Sequence, residues 1–315
     1  MATEKWAFLF PGQGAQYVGM GRDFYETFAV ARQTFEEADD VLKEPLSHLI
    51  FAGDFAELTL TKNSQVALFV VSMAILRTIR QQMPALRPSA CAGLSLGEYT
   101  ALVAAEKMGF ADCLQLVKAR ALAMHEACQI QKGAMHVVLG LTEETVAQVI
   151  ETLPRETVWV ANLNCPGQVV IAGAEEAMAP AIEALKVKGA KRVLPLDVSG
   201  AFHSGLMRSA QEKLAPLLRD APVQESEIDL VMNVPGDIVR KPDHIRRYLY
   251  EQVVSAVRWE KGIRVLQPIM GAFLEIGPGK TLSGMNKRIG VAQETMSLEK
   301  VKDLDALEAY AALRT

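Results

Sequence analysis

Cys91-Ala92-Gly93-Leu94-Ser95-Leu96-Gly97-Glu98-Tyr99 lies between two different rhythms of sequence. Before it, residues 89–94 form a short apolar run. After it, residues 96–105 carry a helical pattern. The segment holds Gly-x-Ser-x-Gly, and this context predicts a strand, a sharp turn and a helix. Such a turn holds Ser95 in a strained conformation with its hydroxyl exposed above a sheet. Glycines at 93 and 97 allow the close backbone approach it needs. The helix starts directly behind Ser95, so its free N–H groups face any negative charge formed there. A covalent serine enzyme needs this arrangement. An ordinary strand-to-helix turn is the plainer alternative.

Strands and helices alternate on either side of this turn. Residues 6–10 are predicted as a buried strand ended by Pro11, with the loop Pro11-Gly12-Gln13-Gly14 after it. Helices are expected over 22–42, over 63–83 up to Pro84, and over 111–127. This order predicts a parallel sheet covered on both faces. The rhythm then changes. A strand at 134–139 and a helix at 143–153 precede two strands, 158–163 and 168–172, around Pro166-Gly167. A helix at 175–188 and a strand at 191–196 follow. Strand-helix-strand-strand-helix-strand is the order of a ferredoxin-like unit. Beyond it are expected a helix at 205–219, a strand at 230–233, a helix at 242–257 and a strand at 272–276. The fold class read from this is α/β: a hydrolase-like parallel-sheet core, 1–128 and 198–315, with an inserted ferredoxin-like α+β subdomain, 129–197.

Composition narrows the function. The 315 residues are 50% hydrophobic and 22% charged, ordinary for a globular protein with a large core. The net charge of −4 argues against nucleic-acid binding. The longest apolar run, near 66–76, ends at Arg77 and is too short to span a bilayer. No secretory signal is read at the start, and Cys91, Cys113, Cys128 and Cys165 show no paired spacing. A cytoplasmic protein with reduced thiols is expected.

Nucleotide and metal motifs fail on single residues. Gly12-Gln13-Gly14 has Tyr17 where a dinucleotide fingerprint needs glycine. Gly279-Lys280-Thr281 has Leu274 where a phosphate loop needs glycine, and Pro278 lacks an N–H. His125-Glu126 has Gln129 where the helical zinc motif needs histidine. His48 and His244 read as surface residues. His203, in Ser199-Gly200-Ala201-Phe202-His203-Ser204, is either a helix-start histidine or the base that takes the Ser95 proton. A triad acid would be Asp197; a Ser-His dyad fits equally. Arg120, among Leu116, Val117, Ala123 and Met124, reads from pattern alone as a snorkelling side chain. Buried, it would need an anion, and its planar fork suits a carboxylate.

These stretches together resemble one family along the whole chain, the bacterial malonyl-CoA:acyl carrier protein transacylases. The matching pieces are Phe8-Leu9-Phe10-Pro11-Gly12-Gln13-Gly14, Gly93-Leu94-Ser95-Leu96-Gly97-Glu98-Tyr99, Arg120 with Met124, Gly133-Ala134-Met135, Ala161-Asn162 through Pro166-Gly167-Gln168, Gly200-Ala201-Phe202-His203-Ser204, Val257-Arg258-Trp259 and Glu275-Ile276-Gly277-Pro278-Gly279. The resemblance implies that Ser95 is acylated, that His203 is its base, and that the Gln13 and Leu96 N–H groups form the oxyanion hole. It implies that Arg120 binds the malonyl carboxylate, that the Gln252 backbone carbonyl orients His203, and that Met124 and Asn162 line the cleft. Phe202 resembles the malonyl-selecting form of its motif. Leu94, Cys165 and His136 depart from residues frequent in the family.

The expected activity is transfer of malonyl from malonyl-CoA to the phosphopantetheine thiol of acyl carrier protein in fatty acid biosynthesis. The route is ping-pong, through a malonyl-Ser95 ester. No cofactor or metal is implied, the partners are malonyl-CoA and acyl carrier protein, and the family precedent is a monomer. A polyketide-type acyltransferase, a serine hydrolase of small acyl esters and a non-catalytic carrier-docking protein are the alternatives. Lys186, Lys188, Lys191 and Arg192 form a candidate docking patch for an acidic carrier.

Overall fold

A computed structural model describes residues 4–312. Its strands are β1 (Trp6–Phe10), β2 (Pro88–Gly93), β3 (Gly133–Leu139), β4 (Val158–Cys165), β5 (Gln168–Ala174), β6 (Arg192–Pro195), β7 (Asp229–Met232), β8 (Asp237–Val239), β9 (Ala272–Ile276) and β10 (Thr295–Leu298). Six form one sheet in the order β10-β9-β1-β2-β7-β8, parallel except for the hairpin partner β8. Strand β1 is buried throughout, as a central parallel strand must be. Its alternation divides the core. Phe8 and Phe10 join Cys91, Leu274 and Ile276 on one face, while Ala7 and Leu9 join Ala90, Ala92, Val231 and Phe273 on the other. The first face is covered by the helices Thr61–Gln82 and Phe110–Ile130. The second is covered by Trp259–Leu266 and Thr281–Ile289.

The other four strands form an antiparallel sheet, β4-β5-β3-β6, whose connections include the helices Glu143–Glu151 and Glu175–Val187. That is the ferredoxin-like order. One face packs on its own helices through Val138, Val146, Val149, Ile171, Met178 and Leu185. The opposite face sends Met135, Val170 and Ala172 into the main core. Strand β4 is tied to the segment before the helix Trp259–Leu266 where Asn162 and Val257 pair in parallel.

Several boundaries differ from the expectation. The pattern over 22–42 is two helices, Arg22–Thr27 and Ala29–Leu42, because Phe28 is extended at φ −117° and ψ 125°. Its ring packs on Phe24 at 6.0 Å between centroids. The segment 205–219 begins with a 3₁₀ turn, Gly205–Met207, before the helix Arg208–Arg219. The helix expected over 242–257 stops at Gln252, and the chain beyond it runs to the Val257 bridge. Strands β8 and β10 and the helices Leu46–Ala52, Phe55–Thr59, Trp259–Leu266, Thr281–Ile289 and Asp303–Ala312 carried no expectation. Among the described residues no helix is long and apolar enough to cross a membrane.

Candidate active site

The turn after β2 is strained as the motif predicts. Ser95 has φ +53°, a left-handed conformation costing about 1–3 kcal/mol for a side-chain-bearing residue. Both flanking glycines are required by contact. A Cβ on Gly93 would lie 1.9 Å from the Gly97 carbonyl carbon, and one on Gly97 would lie 2.1 Å from the Phe10 carbonyl oxygen. Strand β1 meets the turn where the Leu94 N–H donates to the Phe10 carbonyl at 3.0 Å. Asn233, just past β7, clamps the turn from the other side. Its Oδ1 accepts the Ser95 N–H at 2.8 Å and its Nδ2 donates to the Gly93 carbonyl at 2.7 Å. The site therefore forms beyond the carboxyl ends of β1, β2 and β7, as open parallel sheets favour.

His203 faces the serine. Its Nε2 is 2.7 Å from Ser95 Oγ, and its Nδ1 is 2.9 Å from the Gln252 backbone carbonyl. Nδ1–H donates to that carbonyl, which leaves Nε2 as the acceptor for the serine proton. Gln252 ends its helix, and its carbonyl, met in the next turn only by the Ser255 N–H at 3.4 Å, keeps a lone pair for this role. The negative end of that helix also faces the imidazole and favours the imidazolium that proton transfer creates. Asp197 is exposed and makes no hydrogen bond to His203 among the described residues; the partner of His203 Nδ1 is the Gln252 backbone carbonyl. His203 is itself left-handed at φ +57°. Burial, and then the neighbouring Arg120 charge, push its pKa down to about 4 against its hydrogen bonds to the Gln252 and Ser255 backbone.

Arg120 is not a snorkelling residue. It is 1% exposed and its Nη2 donates to Ser95 Oγ at 3.1 Å and to Gln252 Oε1 at 2.9 Å, while Nη1 bonds Gln65 Oε1. Its guanidinium carbon stands 5.4 Å from the Tyr99 ring centroid. Among the described residues it takes part in no ion pair. A buried cation held by neutral acceptors beside a nucleophile is a ready receptor for a carboxylate. Burial lowers its pKa, opposed by Tyr99 and Glu98.

These groups line a cavity of about 270 Å³ between the two sheets. Gln13, Ser95, Leu96, Arg120, Met124, Asn162, Phe202 and His203 all face it, and Gln252 lies behind them. The Gln13 and Leu96 N–H groups make no hydrogen bond among the described residues, as oxyanion donors require. Leu94 lines the cavity, whereas Cys165 faces a separate groove across the β4–β5 hairpin. His136 alternates with the cavity-lining Met135 and Val137 and turns to the other face of β3. Thr281 is at the rim, but its helix N-terminus offers no phosphate cradle. The Leu282 and Ser283 N–H groups donate, each at 2.9 Å, to the buried carboxylate of Glu275. Among the described residues no three His, Cys, Asp or Glu side chains are grouped to hold a metal ion.

Four site residues were not anticipated: Gln65, Glu98, Asn164 and Asn233. Gln65 opens the longest apolar helix run and is fully enclosed, a polar residue out of place by pattern. Asn233 follows a predicted parallel strand, where site residues concentrate. Glu98 reads as an ordinary first-turn acid. It is buried, and burial pushes its pKa up to about 8 against the pull of the Asn233 N–H, Arg120 and Gln252. Asn164 carries an Oδ1 without a hydrogen-bond partner among the described residues, beside the cavity.

A strained serine at a strand-to-helix turn, a histidine on it and two spare N–H groups define a serine acyltransferase or hydrolase site. Residues 7–302 match the acyl transferase domain family, and the chain belongs to it. The malonyl CoA-acyl carrier protein transacylase of Bacillus subtilis (strain 168) is 42% identical over 307 residues, 96% of this chain and 95% of its own length. The enzyme of the same name from Escherichia coli (strain K12) is 38% identical over 312 residues, 98% and 99% of the two chains. A malonyl-transacylase solved in complex with a type II PKS acyl-carrier protein superposes with a TM-score of 0.92 at 39% identity, covering 97% of this chain and 99% of that one.

Proposed function

We propose that this chain moves malonyl from malonyl-CoA to the phosphopantetheine thiol of an acyl carrier protein, in fatty acid biosynthesis. The observation that carries this reading is Arg120, buried and aimed at Ser95 Oγ from 3.1 Å. Ser95 Oγ attacks the thioester carbonyl and its proton passes to His203 Nε2. The carbonyl oxygen becomes an oxyanion on the Gln13 and Leu96 N–H groups. The C–S bond breaks, coenzyme A leaves as its thiol with the proton from His203, and a malonyl-Ser95 ester remains. The carrier thiol then gives its proton to His203 and attacks the ester. The C–O bond breaks and Ser95 recovers its proton. Arg120 holds the malonyl carboxylate through both halves, and the Phe202 ring and Met124 wall off the acyl chain.

A hydrolase of simple esters is disfavoured, because its substrates leave the Arg120 cation without an anion. A polyketide carrier is the second reading, favoured by the structural likeness to a transacylase held with such a carrier. The experiment that tests the proposal is single turnover. The chain is mixed with malonyl-CoA, freed of it, and given each carrier type with its phosphopantetheine thiol free. Malonyl is expected on the carrier; release as free malonate would favour the hydrolase. We further propose that 129–197 act as an inserted subdomain between 1–128 and 198–315. The buried free thiols support a cytoplasmic location.

The pH dependence follows from His203. Only the neutral imidazole accepts a proton, and an isolated histidine would place the acid limb near pH ~6.5. Burial and Arg120 move that limb down to about 4. Acylation kcat/KM is therefore expected to stay flat from pH ~8 to ~5 and to halve near 4. Once the malonyl carboxylate pairs with Arg120, the guanidinium repels the imidazolium less. The acid limb of transfer to the carrier is expected at higher pH than that of acylation. Stopped-flow measurement of each half-reaction checks both; coincident limbs would remove Arg120 as the cause.

Carrier docking is placed at Lys186, Lys188, Lys191 and Arg192. All four are exposed, and none joins an ion pair among the described residues. The chain runs from Arg192 along β6 to Leu196 and Val198, which line the cavity. Reversing the charge at Lys188 and Lys191 is expected to slow transfer to the carrier at low salt and leave acylation unchanged, since rim charges act mainly on association. An unchanged transfer rate at low salt would place docking elsewhere.

A further inference from the structure

Glu98 is fully buried one residue beyond Gly97, and no step of the transfer uses it. Its carboxylate has two partners. Oε2 accepts the Asn233 N–H at 2.5 Å, and Oε1 accepts from Gln252 Nε2 at 3.1 Å. Both partners reach the reacting groups. Asn233 holds the Ser95 N–H and the Gly93 carbonyl, and so fixes the strained turn. Gln252 touches all three functional side chains or their backbone. Its Nε2 donates to the Ser95 carbonyl at 2.9 Å, its Oε1 accepts from Arg120 at 2.9 Å, and its backbone carbonyl accepts from His203 at 2.9 Å.

The orientation of the Gln252 amide is the critical point. Its oxygen must face the guanidinium and its NH₂ must face the other way. Reversed, it would set donors against the donors of Arg120. Glu98 Oε1 and the Ser95 carbonyl are the two acceptors that fix this choice, because the Gln252 NH₂ can only donate. We propose that Glu98 is a positioning residue for acyl transfer: through Gln252 and Asn233 it sets the mutual placement of Ser95, His203 and Arg120. The inference deepens the acyl-transfer reading and rests on it.

The test is the burst of coenzyme A thiol released when malonyl-CoA meets enzyme without carrier. Burst amplitude counts competent molecules, and burst rate reports how well each is set for attack. Glu98→Gln keeps the shape but must point an NH₂ at either the Asn233 N–H or the Gln252 amide. Its amplitude is expected to stay at the native value while its rate falls on the order of 10²-fold, the penalty of a small misplacement of reacting groups. The preference for malonyl over acetyl is expected to fall with it, because Arg120 loses its fixed acceptor. Combined with Gln252→Met, which leaves the backbone carbonyl for His203, Glu98→Gln is expected to add less than its separate factor. A native burst rate in Glu98→Gln overturns the proposal. So does a reduced amplitude with a native rate per competent molecule, which is the signature of a merely structural role. Fully multiplicative losses in the double variant overturn the route through Gln252. If Glu98→Gln does not fold, Glu98→Asp keeps the carboxyl group and shortens the reach, and a native burst rate there overturns the proposal equally. Absence of any burst from the native chain would instead sink the acyl-transfer reading beneath it.

Discussion

Ser95→Ala mixed with malonyl-CoA is expected to carry no adduct, while the native chain gains one malonyl group on Ser95. The turn presents that hydroxyl to His203 Nε2 at 2.7 Å. The competing nucleophiles are cysteines, and their thiols are held unreactive. Cys91 and Cys113 are fully buried, and burial drives their pKa far above the ordinary thiol range. Burial raises Cys128 to about 11 and also raises Cys165. A thiol reacts as its thiolate, so none of the four competes at neutral pH. Removing the nucleophile of such a unit costs on the order of 10⁶-fold in turnover. Intact-mass spectra before and after malonyl-CoA, followed by peptide mapping, read the result. A malonyl group on a cysteine, or a full adduct on the alanine variant, would overturn the ester mechanism.

The ester site was legible because its determinants are local. Gly93, Ser95 and Gly97 fall within one turn, and a turn declares itself by spacing. The order of strands and helices was legible for the same reason. What remained hidden depends on distant partners. Arg120 reads as a wet-headed helix residue until Gln65 and Gln252, brought from two other helices, enclose it. Asp197 is near His203 in sequence and far from it in function. The acceptor comes from a helix end 49 residues away, fixed by where that helix stops. The resemblance placed both residues; local pattern did not. Phe28 interrupts the helical pattern with neither proline nor glycine, in an extended conformation that the local pattern does not announce. Glu98 belongs to the most readable motif of all, yet its two partners lie 135 and 154 residues away.

Arg120→Ala is expected to lose roughly 30- to 5,000-fold in kcat/KM for malonyl-CoA, and to keep or gain activity toward acetyl-CoA. The guanidinium is 1% exposed and anchored by Gln65 and Gln252, so its place is set before substrate enters. The malonyl carboxylate supplies the anion that the resting site lacks. A fork of N–H donors meeting a carboxylate in a dry cavity makes a bidentate, charge-assisted pair. Removing one member of such a pair costs ~2–5 kcal/mol, which converts to the stated range. Acetyl-CoA brings no carboxylate and displaces water from a cation it cannot pair. For it, the native arginine is an obstacle, and alanine removes it. The change also strips a positive charge from beside His203, whose pKa it holds down, so the acid limb of acylation should rise toward the ordinary histidine range. Selectivity and pH profile should therefore shift in the same variant, with the Ser95 adduct still formed. Specificity constants for the two thioesters, measured across pH, decide the matter. Equal losses on both substrates would make Arg120 a structural residue, because a carboxylate receptor must distinguish a substrate that has one from a substrate that does not.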